Sequence, residues 1–189
     1  MNKHTFAFCD LTYVGKGLSS NAFPYAGAIV GSHLKRKFGE EIDVQLFKYP
    51  DDFKNYLENN KPKFICFTNY SWTMDLSHEF AKKIKKKFPD VITIFGGPNY
   101  PIEIIEQKKF LLSYPAVDFY IKGEGEIGCS NLYEKLKEFN FNVKALKKTK
   151  ILLGNCHYIE DNELYIGENL PRVINLDETP SPYLNGMLD

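Results

Sequence analysis

The segment Phe64-Ile65-Cys66-Phe67-Thr68 (FICFT) is short and apolar almost throughout. A strand covered by helices on both faces of its sheet has this pattern, whereas a strand with one face in solvent alternates apolar and polar residues. A second segment of the same kind, Val91–Phe95 (VITIF), follows after one helical pattern. Two buried strands with a helix between them predict parallel pairing and therefore an α/β fold.

Working outward from these segments, strand and helix patterns alternate five times. The predicted strands are His4–Asp10, Ile42–Tyr49, Phe64–Thr68, Val91–Phe95 and Ala116–Ile121. The predicted helices are Pro24–Phe38, a short helix from Pro50, Asp75–Phe88, a helix from Pro101 with Ile102, Ile105 and Leu112 as its apolar face, and a helix with Cys129, Leu132, Tyr133, Leu136 and Phe139 inside. This order predicts a flavodoxin-like doubly wound sheet of five parallel strands in the order 2-1-3-4-5.

The pattern changes after Phe141. A run of lysines predicts a solvated basic linker: Lys144, Lys147, Lys148 and Lys150. Ile151–Ile159 and Glu163–Ile166 flank a turn signal and predict a β-hairpin. The prolines beyond Pro171 predict an extended linker. We therefore divide the chain into a domain over residues 1–142 and a hairpin and linker over residues 143–189.

Composition limits the classes of function. Lys and Arg number 24, as do Asp and Glu, so the net charge of the 189 residues is zero, which disfavours a nucleic-acid-binding protein. No window approaches the ~18 consecutive apolar residues of a membrane span, and the N-terminus lacks a signal-peptide pattern. The cysteines, Cys9, Cys66, Cys129 and Cys156, are too scattered for a metal cluster. We expect a cytoplasmic protein that contacts neither membrane nor nucleic acid.

Ligands of doubly wound sheets bind outside the carboxyl ends of the strands, where the strand order reverses. In the predicted sheet that place lies between strands one and three. The loop after strand one runs from Asp10 to Ser20 and carries Thr12, Tyr13, Gly15 and Gly17. The loops after strands three, four and five are Asn69-Tyr70-Ser71-Trp72-Thr73, Gly96-Gly97-Pro98-Asn99-Tyr100 and Gly123-Glu124-Gly125-Glu126.

Each loop by itself is a weak signal. Gly96-Gly97 is typical of a tight turn as well as of a ligand-binding loop, and there is neither a Walker motif nor a dinucleotide-binding glycine pattern. Asp10 and Lys122 stand where a phosphorylation receiver has a carboxylate and a lysine, but the second carboxylate of that acidic pair is missing. No histidine falls in these loops, so we predict no Ser–His or Cys–His pair and no catalytic residue.

Together, the loops resemble those of the N-terminal cobalamin-binding domain of cobalamin-dependent radical SAM (S-adenosylmethionine) enzymes. The resemblance is strongest over Ile94–Pro101 and Val117–Glu126, where a GGP turn is paired with a D-x-x-x-x-G-E-G-E segment. The tail Asn175–Leu184 is similar to the family's linker toward the radical SAM barrel. The resemblance implies cobalamin as cofactor, and a C-terminal radical SAM domain of the same parent chain as partner, with a 4Fe-4S cluster and S-adenosylmethionine bound by the parent.

The resemblance also implies the site residues. Cobalamin-binding folds often carry Asp-x-His-x-x-Gly after strand one, and here Thr12 stands in place of the histidine. We therefore expect no protein imidazole on cobalt. Gly15 and Gly17 would admit the nucleotide tail between strands one and three. The implied cofactor-binding residues are Asp10, Thr12, Tyr13, Gly15, Gly17, Asn69, Tyr70, Ser71, Trp72, Thr73, Gly96, Gly97, Pro98, Asn99, Tyr100, Gly123, Glu124 and Gly125.

Radical SAM chemistry needs a Cys-x-x-x-Cys-x-x-Cys motif, which this sequence lacks. We therefore expect a fragment of a larger enzyme, a methyltransferase or a carbon-skeleton enzyme, that binds cobalamin and does not turn over alone. Two alternatives stay open. One is a stand-alone flavodoxin-like module that binds flavin or another nucleotide, and the other is an interaction domain that binds no cofactor.

Overall fold

A computed structural model describes residues 3–13, 23–175, 177 and 179–188. Within them, seven strands form one sheet in the order β2-β1-β3-β4-β5-β6-β7. The strands are β1 His4–Cys9, β2 Ile42–Phe47, β3 Phe64–Thr68, β4 Ile92–Gly96, β5 Phe119–Ile121, β6 Cys156–Glu160 and β7 Glu163–Ile166. The first five are parallel and β6 and β7 are antiparallel. The predicted α/β class and the order 2-1-3-4-5 are confirmed.

Helices cover both faces of the sheet. They are α1 Tyr25–Phe38, α2 Pro50–Asn59, α3 Met74–Lys87, α4 Ile104–Ser113, α5 Gly125–Glu138 and α6 Val143–Lys148. One face, which we call the α1–α5 face, packs against α1, α5 and α6, and the other, the α2–α4 face, packs against α2, α3 and α4. No helix in the described part of the chain combines the length and apolarity needed to cross a membrane.

The apolar strand residues divide between two cores because successive side chains of a strand point to opposite faces. In β1, Phe6 and Phe8 belong to the core under the α1–α5 face, whereas Ala7 and Cys9 belong to the core under the α2–α4 face. The FICFT segment behaves in the same way. This double covering explains why β3 and β4 are apolar runs without alternation.

The face predicted for α4 is wrong. Ile102, Ile105 and Leu112 are 87%, 70% and 41% exposed, and the helix buries Gln107 and Leu111 instead. The chain after Pro101 makes a turn, so the helix begins at Ile104. Gln107 secures that turn, because its side-chain amide donates to the carbonyl oxygens of Pro101 and Ile102.

The basic linker predicted after Phe141 is also wrong at its start, because residues Val143–Lys148 form α6. The Asn142 side chain accepts a hydrogen bond from the Ala145 amide and so caps the helix. Lys147 is half-buried, with its ammonium 5.2 Å from the ring centre of Phe119. The predicted hairpin is present, although its first strand is Cys156–Glu160 and not Ile151–Ile159, and it extends the main sheet because β6 pairs with β5.

Candidate functional site

A cavity of about 510 Å³ opens at the carboxyl edge of the sheet on the α1–α5 face. Buried side chains from four strands and α5 line its inner wall: Phe8, Cys66, Ile94, Ile121 and Cys129. More exposed residues, including Ala26, Gly97 and Pro98, line its rim. The cavity therefore has an apolar interior and a rim formed largely by loop backbone.

Two helical glycines shape the walls of this cavity. A Cβ atom at Gly27 of α1 would lie 2.8 Å from the Cβ of Phe8, and one at Gly125 of α5 would lie 2.8 Å from Cγ2 of Val30. Real Cβ atoms do not approach neighbours so closely, so α1 contacts β1, and α5 contacts α1, only because side chains are absent here. All four residues line the cavity.

The loop after β4 makes its turn against the loop after β3. Gly97 has φ +132°, and a Cβ there would lie 2.7 Å from the carbonyl oxygen of Asn69. The Asn69 amide donates to the Gly96 carbonyl at 2.6 Å, and the Asn99 amide donates to the Asn69 carbonyl at 3.2 Å. Gly97 is therefore required both by its backbone conformation and by this close approach.

The side chains of the loop after β3 divide into engaged and exposed groups. Asn69 is fully buried and hydrogen-bonded to Asn99, and Thr73 Oγ1 accepts from the Tyr70 amide at 3.3 Å. The Tyr70 ring stacks on Trp72, with centroids 4.9 Å apart and planes 5° from parallel. Ser71 and Trp72 are exposed, Trp72 by 67%. This loop therefore presents Ser71 and one aromatic stack to solvent.

The loop after β1 is tied to β2 and β3. The Asp10 carboxylate pairs with the Lys48 ammonium at 3.0 Å and accepts from Thr68 Oγ1 at 2.8 Å. Thr12 is 9% exposed and its amide donates to the Lys48 carbonyl, whereas Tyr13 is half exposed. The charge of Asp10 is thus balanced within the protein. Gly15 and Gly17 lie outside the described residues.

The loop after β5 brings two carboxylates to the cavity. Gly123 has φ +82°, a conformation that favours glycine. Glu124 and Glu126 both line the cavity. Burial raises the pKa of Glu126, and the nearby charge of Glu124 raises it further. The Glu124 carboxylate also lies 3.8 Å from Nε of Arg172.

The model of the B12 binding domain family matches residues 18–133. The chain belongs to the B12 binding domain family. It is 27% identical over 129 residues to the cobalamin-dependent radical SAM methyltransferase TokK of Streptomyces tokunonensis, covering 68% of this chain and 18% of TokK. It is 28% identical over 134 residues to the 2-(S-pantetheinyl)-carbapenam-3-carboxylate methyltransferase of Streptantibioticus cattleyicolor, covering 68% of this chain and 17% of that enzyme. The chain thus spans less than a fifth of either relative's length.

A solved structure shares the fold of this B12 binding domain. The cobalamin-dependent S-adenosylmethionine radical enzyme OxsB, with aqua-cobalamin and S-adenosylmethionine bound, has a TM-score of 0.65 and 17% identity. The match covers 98% of this chain and 25% of OxsB. The resemblance to the cobalamin-binding domain is confirmed, and cobalamin is supported over the flavin and no-cofactor alternatives.

The B12 binding domain brings only part of the predicted site into the cavity. Predicted residues that line it are Tyr70, Gly96, Gly97, Pro98, Gly123, Glu124 and Gly125. Predicted residues that do not line it are Asp10, Thr12, Tyr13, Asn69, Ser71, Trp72, Thr73, Asn99 and Tyr100. The cavity also has a wall from α1 and a rim from the C-terminal part that were not predicted from the sequence: Ala26, Gly27, Ile29, Val30, Asn155, Asn169, Leu170 and Arg172. The one sequence signal for this wall is Gly27, a glycine inside a helix pattern, which is compatible with a close approach but does not say to what.

Proposed function

We propose that this chain binds cobalamin at the carboxyl edge of its sheet and is the cofactor-binding module of a larger radical SAM enzyme. The cavity between α1 and α5 carries this proposal, because it lies beside the Gly96-Gly97-Pro98 turn in a chain of the B12 binding domain family. Its apolar interior suits the aromatic base of the nucleotide tail. The tail would then lie under the carboxyl ends of β1, β3 and β4 on the α1–α5 face.

The corrin ring is too broad for a cavity of about 510 Å³ and would rest outside it. Exposed groups at this edge include the Ser71 hydroxyl, the Tyr70–Trp72 stack and the backbone of Gly97. A hydroxyl and backbone amides can hydrogen-bond the amides on the corrin rim, and an aromatic ring can contact its face. We assign these three groups to the corrin and the buried wall to the tail.

We further propose that no protein imidazole ligates cobalt. The loops that follow β1, β3, β4 and β5, beside which the corrin would rest, contain no histidine. Thr12, at the position of the family's histidine, is 9% exposed, and a threonine hydroxyl is a much poorer cobalt donor than an imidazole nitrogen.

The partner that we propose is a C-terminal radical SAM domain of the same parent chain. That domain would bind the 4Fe-4S cluster and S-adenosylmethionine, and cobalamin supplies methyl-transfer chemistry when bound. TokK and the carbapenam enzyme are both methyltransferases, which supports a methyltransferase as parent. We also place the enzyme in the cytoplasm, in keeping with its four free, buried cysteines.

A hydroxocobalamin titration of the purified chain tests the proposal. We expect corrin absorbance to survive desalting at about one corrinoid per chain. Ala26→Phe places a ring at the cavity rim without disturbing the core, since Ala26 is exposed on α1. We expect it to weaken hydroxocobalamin binding about a hundredfold, a loss on the order of 3 kcal/mol.

The matched control is Lys83→Phe, which adds the same ring to the exposed surface of α3 and lies away from the cavity. It should bind hydroxocobalamin like the wild type, and both variants should melt within a few degrees of it. No retained corrin in the wild type would overturn the proposed function. Equal affinities in the two variants would show that the ligand binds elsewhere.

A further inference from the structure

The fully buried Tyr120 of β5 points its hydroxyl group at the turn after β4. This hydroxyl donates to the Gly97 carbonyl at 2.8 Å and accepts from the Asn69 side-chain amide at 3.0 Å. The same amide donates to the Asn99 carbonyl at 2.5 Å, and the Asn99 amide group donates back to Asn69 Oδ1 at 3.1 Å. We call Asn69, Asn99, Tyr120 and the Gly97 carbonyl the turn network.

The turn network fixes a peptide that has little else to fix it. Gly97 is exposed, has no side chain and has φ +132°, a conformation that only glycine adopts readily. A glycine of this kind gains rigidity only from bonds to its own backbone. Its carbonyl oxygen accepts from Tyr120, so this phenol hydroxyl orients the peptide between Gly97 and Pro98, alongside the backbone bonds that Gly96 and Asn99 make to Asn69.

Tyr100 and His157, a residue of the hairpin strand β6, pack against Tyr120 of the turn network. Tyr100 stacks on Tyr120, with ring centroids 3.9 Å apart and planes 14° from parallel. Its hydroxyl is hydrogen-bonded to Nδ1 of His157 in β6 at 3.1 Å. His157 is 1% exposed, and burial, followed by the charge of Lys122, lowers its pKa to about 4, so the ring is neutral at pH 7. A neutral ring nitrogen can exchange a hydrogen bond with the phenol in either tautomer.

We infer that Tyr120 is a positioning residue for cobalamin: its hydroxyl holds the Gly97 turn in the orientation that meets the cofactor, and Tyr100 with His157 holds Tyr120. This inference rests on the proposed function. Tyr100 and Asn99 are predicted from the sequence as cofactor contacts. In this inference they support the turn instead, because their side chains hydrogen-bond within the protein. The turn is then shaped by β5 and β6 as well as by its own sequence.

The test is Tyr120→Phe in the full chain. The variant keeps the stacked ring and removes only the hydroxyl that bonds Gly97 and Asn69. We expect the Kd for hydroxocobalamin to rise about tenfold. Tyr100→Phe, which removes only the bond to His157, should raise it about threefold. In the absence of cofactor, hydrogen exchange at the Asn69 and Asn99 amides should quicken about tenfold in Tyr120→Phe, since these amides bond across the same turn.

Tyr158→Phe is the matched control. Tyr158 is 1% exposed, and its hydroxyl donates to a backbone carbonyl, that of Ile151, at 2.7 Å, yet it belongs to the core under the opposite face. Both variants delete one buried phenol hydroxyl and should lose similar stability in a melt. The control should retain the wild-type Kd and the wild-type exchange rates at Asn69 and Asn99. If Tyr120 had a merely structural role, the two variants would instead change Kd and exchange to the same extent.

The outcomes separate the two proposals. A wild-type chain that retains no hydroxocobalamin overturns the proposed function and with it a role for Tyr120 toward the cofactor, while exchange still decides whether Tyr120 fixes the turn. If the wild type binds, unchanged exchange in Tyr120→Phe overturns the inference. Equal rises in Kd for Tyr120→Phe and Tyr158→Phe also overturn it, because general destabilisation then accounts for both.

Discussion

The two faces of the sheet meet their helices in different ways. On the α1–α5 face, each long helix contains glycines whose added Cβ atoms would lie 2.7–2.8 Å from a neighbour: Gly27, Gly31, Gly125 and Gly128. On the α2–α4 face, none of the helices α2, α3 and α4 contains a glycine. Large side chains such as Phe53 and Leu111 fill the space there.

This difference shows how one sheet separates binding from support. Where helix backbone meets the strands, the side chains that would fill the carboxyl end are missing, and the cavity lies on that face. The α2–α4 face includes Tyr120, whose buried hydroxyl holds the turn that borders the cavity. One face thus provides the space for a ligand, and the other fixes the loop beside it.

The largest loss of stability and of cofactor binding is expected when a side chain is added at Gly27, because this removes the close contact that distinguishes the α1–α5 face. Gly27→Val would place a Cβ 2.8 Å from that of Phe8, which is not the mobile end of a side chain, so α1 must move. We expect a loss of up to about 3 kcal/mol in the free energy of unfolding, as for other overpacked cores. Because Gly27 lines the cavity, hydroxocobalamin retention should also disappear. Urea unfolding and a hydroxocobalamin titration measure the two effects.

Ala81→Val is the matched change on the other face, because Ala81 is fully buried in α3. It should lose a comparable free energy of unfolding and keep the wild-type affinity, while Gly27→Ala provides a milder step if Gly27→Val does not fold. If Ala81→Val weakens binding as much as the Gly27 variants do, the two faces do not differ in function.

The sequence predicts the strand order because its signals are local. Apolar runs such as FICFT and their alternation with helices leave few topologies. Two errors have tertiary causes. α6 was not predicted because its lysine run resembles a solvated linker. In the structure one of these lysines, Lys147, is half-buried with its ammonium over the Phe119 ring. The α4 face was misread because the turn after Pro101 delays the helix to Ile104.

The candidate site was predictable to the level of its loops and not of its side chains. The rule for doubly wound sheets leads to the Gly96-Gly97 turn, which lines the cavity. The same rule cannot tell a loop amide that bonds a ligand from one that bonds a neighbouring loop, so Asn69 and Asn99 looked like ligand contacts. The wall from α1 was missed because Gly27 reveals its close contact only once α1 lies against Phe8.

The next largest effect is a loss of unfolding free energy at acidic pH, which tests the contact of His157 with Tyr100 behind the turn network. The pKa of His157 is lowered from 6.5 to about 4, first by burial and then by Lys122. Between these values the unfolded chain binds a proton that the folded chain does not, so stability is complete above about pH 6.5 and falls as the pH is lowered toward 4. Between pH 7 and pH 5 we expect His157 to account for about 2 kcal/mol of lost unfolding free energy.

Urea unfolding of His157→Asn at both pH values isolates this contribution. Burial also lowers the pKa of His4 and His78, so the wild type will lose additional stability over the same range. The variant should lose about 2 kcal/mol less than the wild type between pH 7 and pH 5. An identical loss in both proteins would mean that His157 titrates as in the unfolded chain, contrary to its burial beside Tyr100.

The smallest effect is expected at Trp72, which tests whether the site extends beyond the α1–α5 face. Trp72 is 67% exposed, stacks on Tyr70 and lies in the loop that leads into α3. Trp72→Ala should change the free energy of unfolding by less than about 0.5 kcal/mol, as exposed substitutions do. If the stack contacts the corrin, the Kd for hydroxocobalamin should rise about fivefold, on the order of 1 kcal/mol.

Tyr49→Ala, which removes another partly exposed aromatic ring, is the control and should bind like the wild type. A higher Kd in Trp72→Ala but not in Tyr49→Ala would mean that the corrin contacts loops of both faces, with its tail on one side of the sheet. Equal affinities of Trp72→Ala and Tyr49→Ala would confine the site to the α1–α5 face. In that case Trp72 packs on Tyr70 without touching the cofactor, and the α2–α4 face contributes to binding only through the turn that Tyr120 holds.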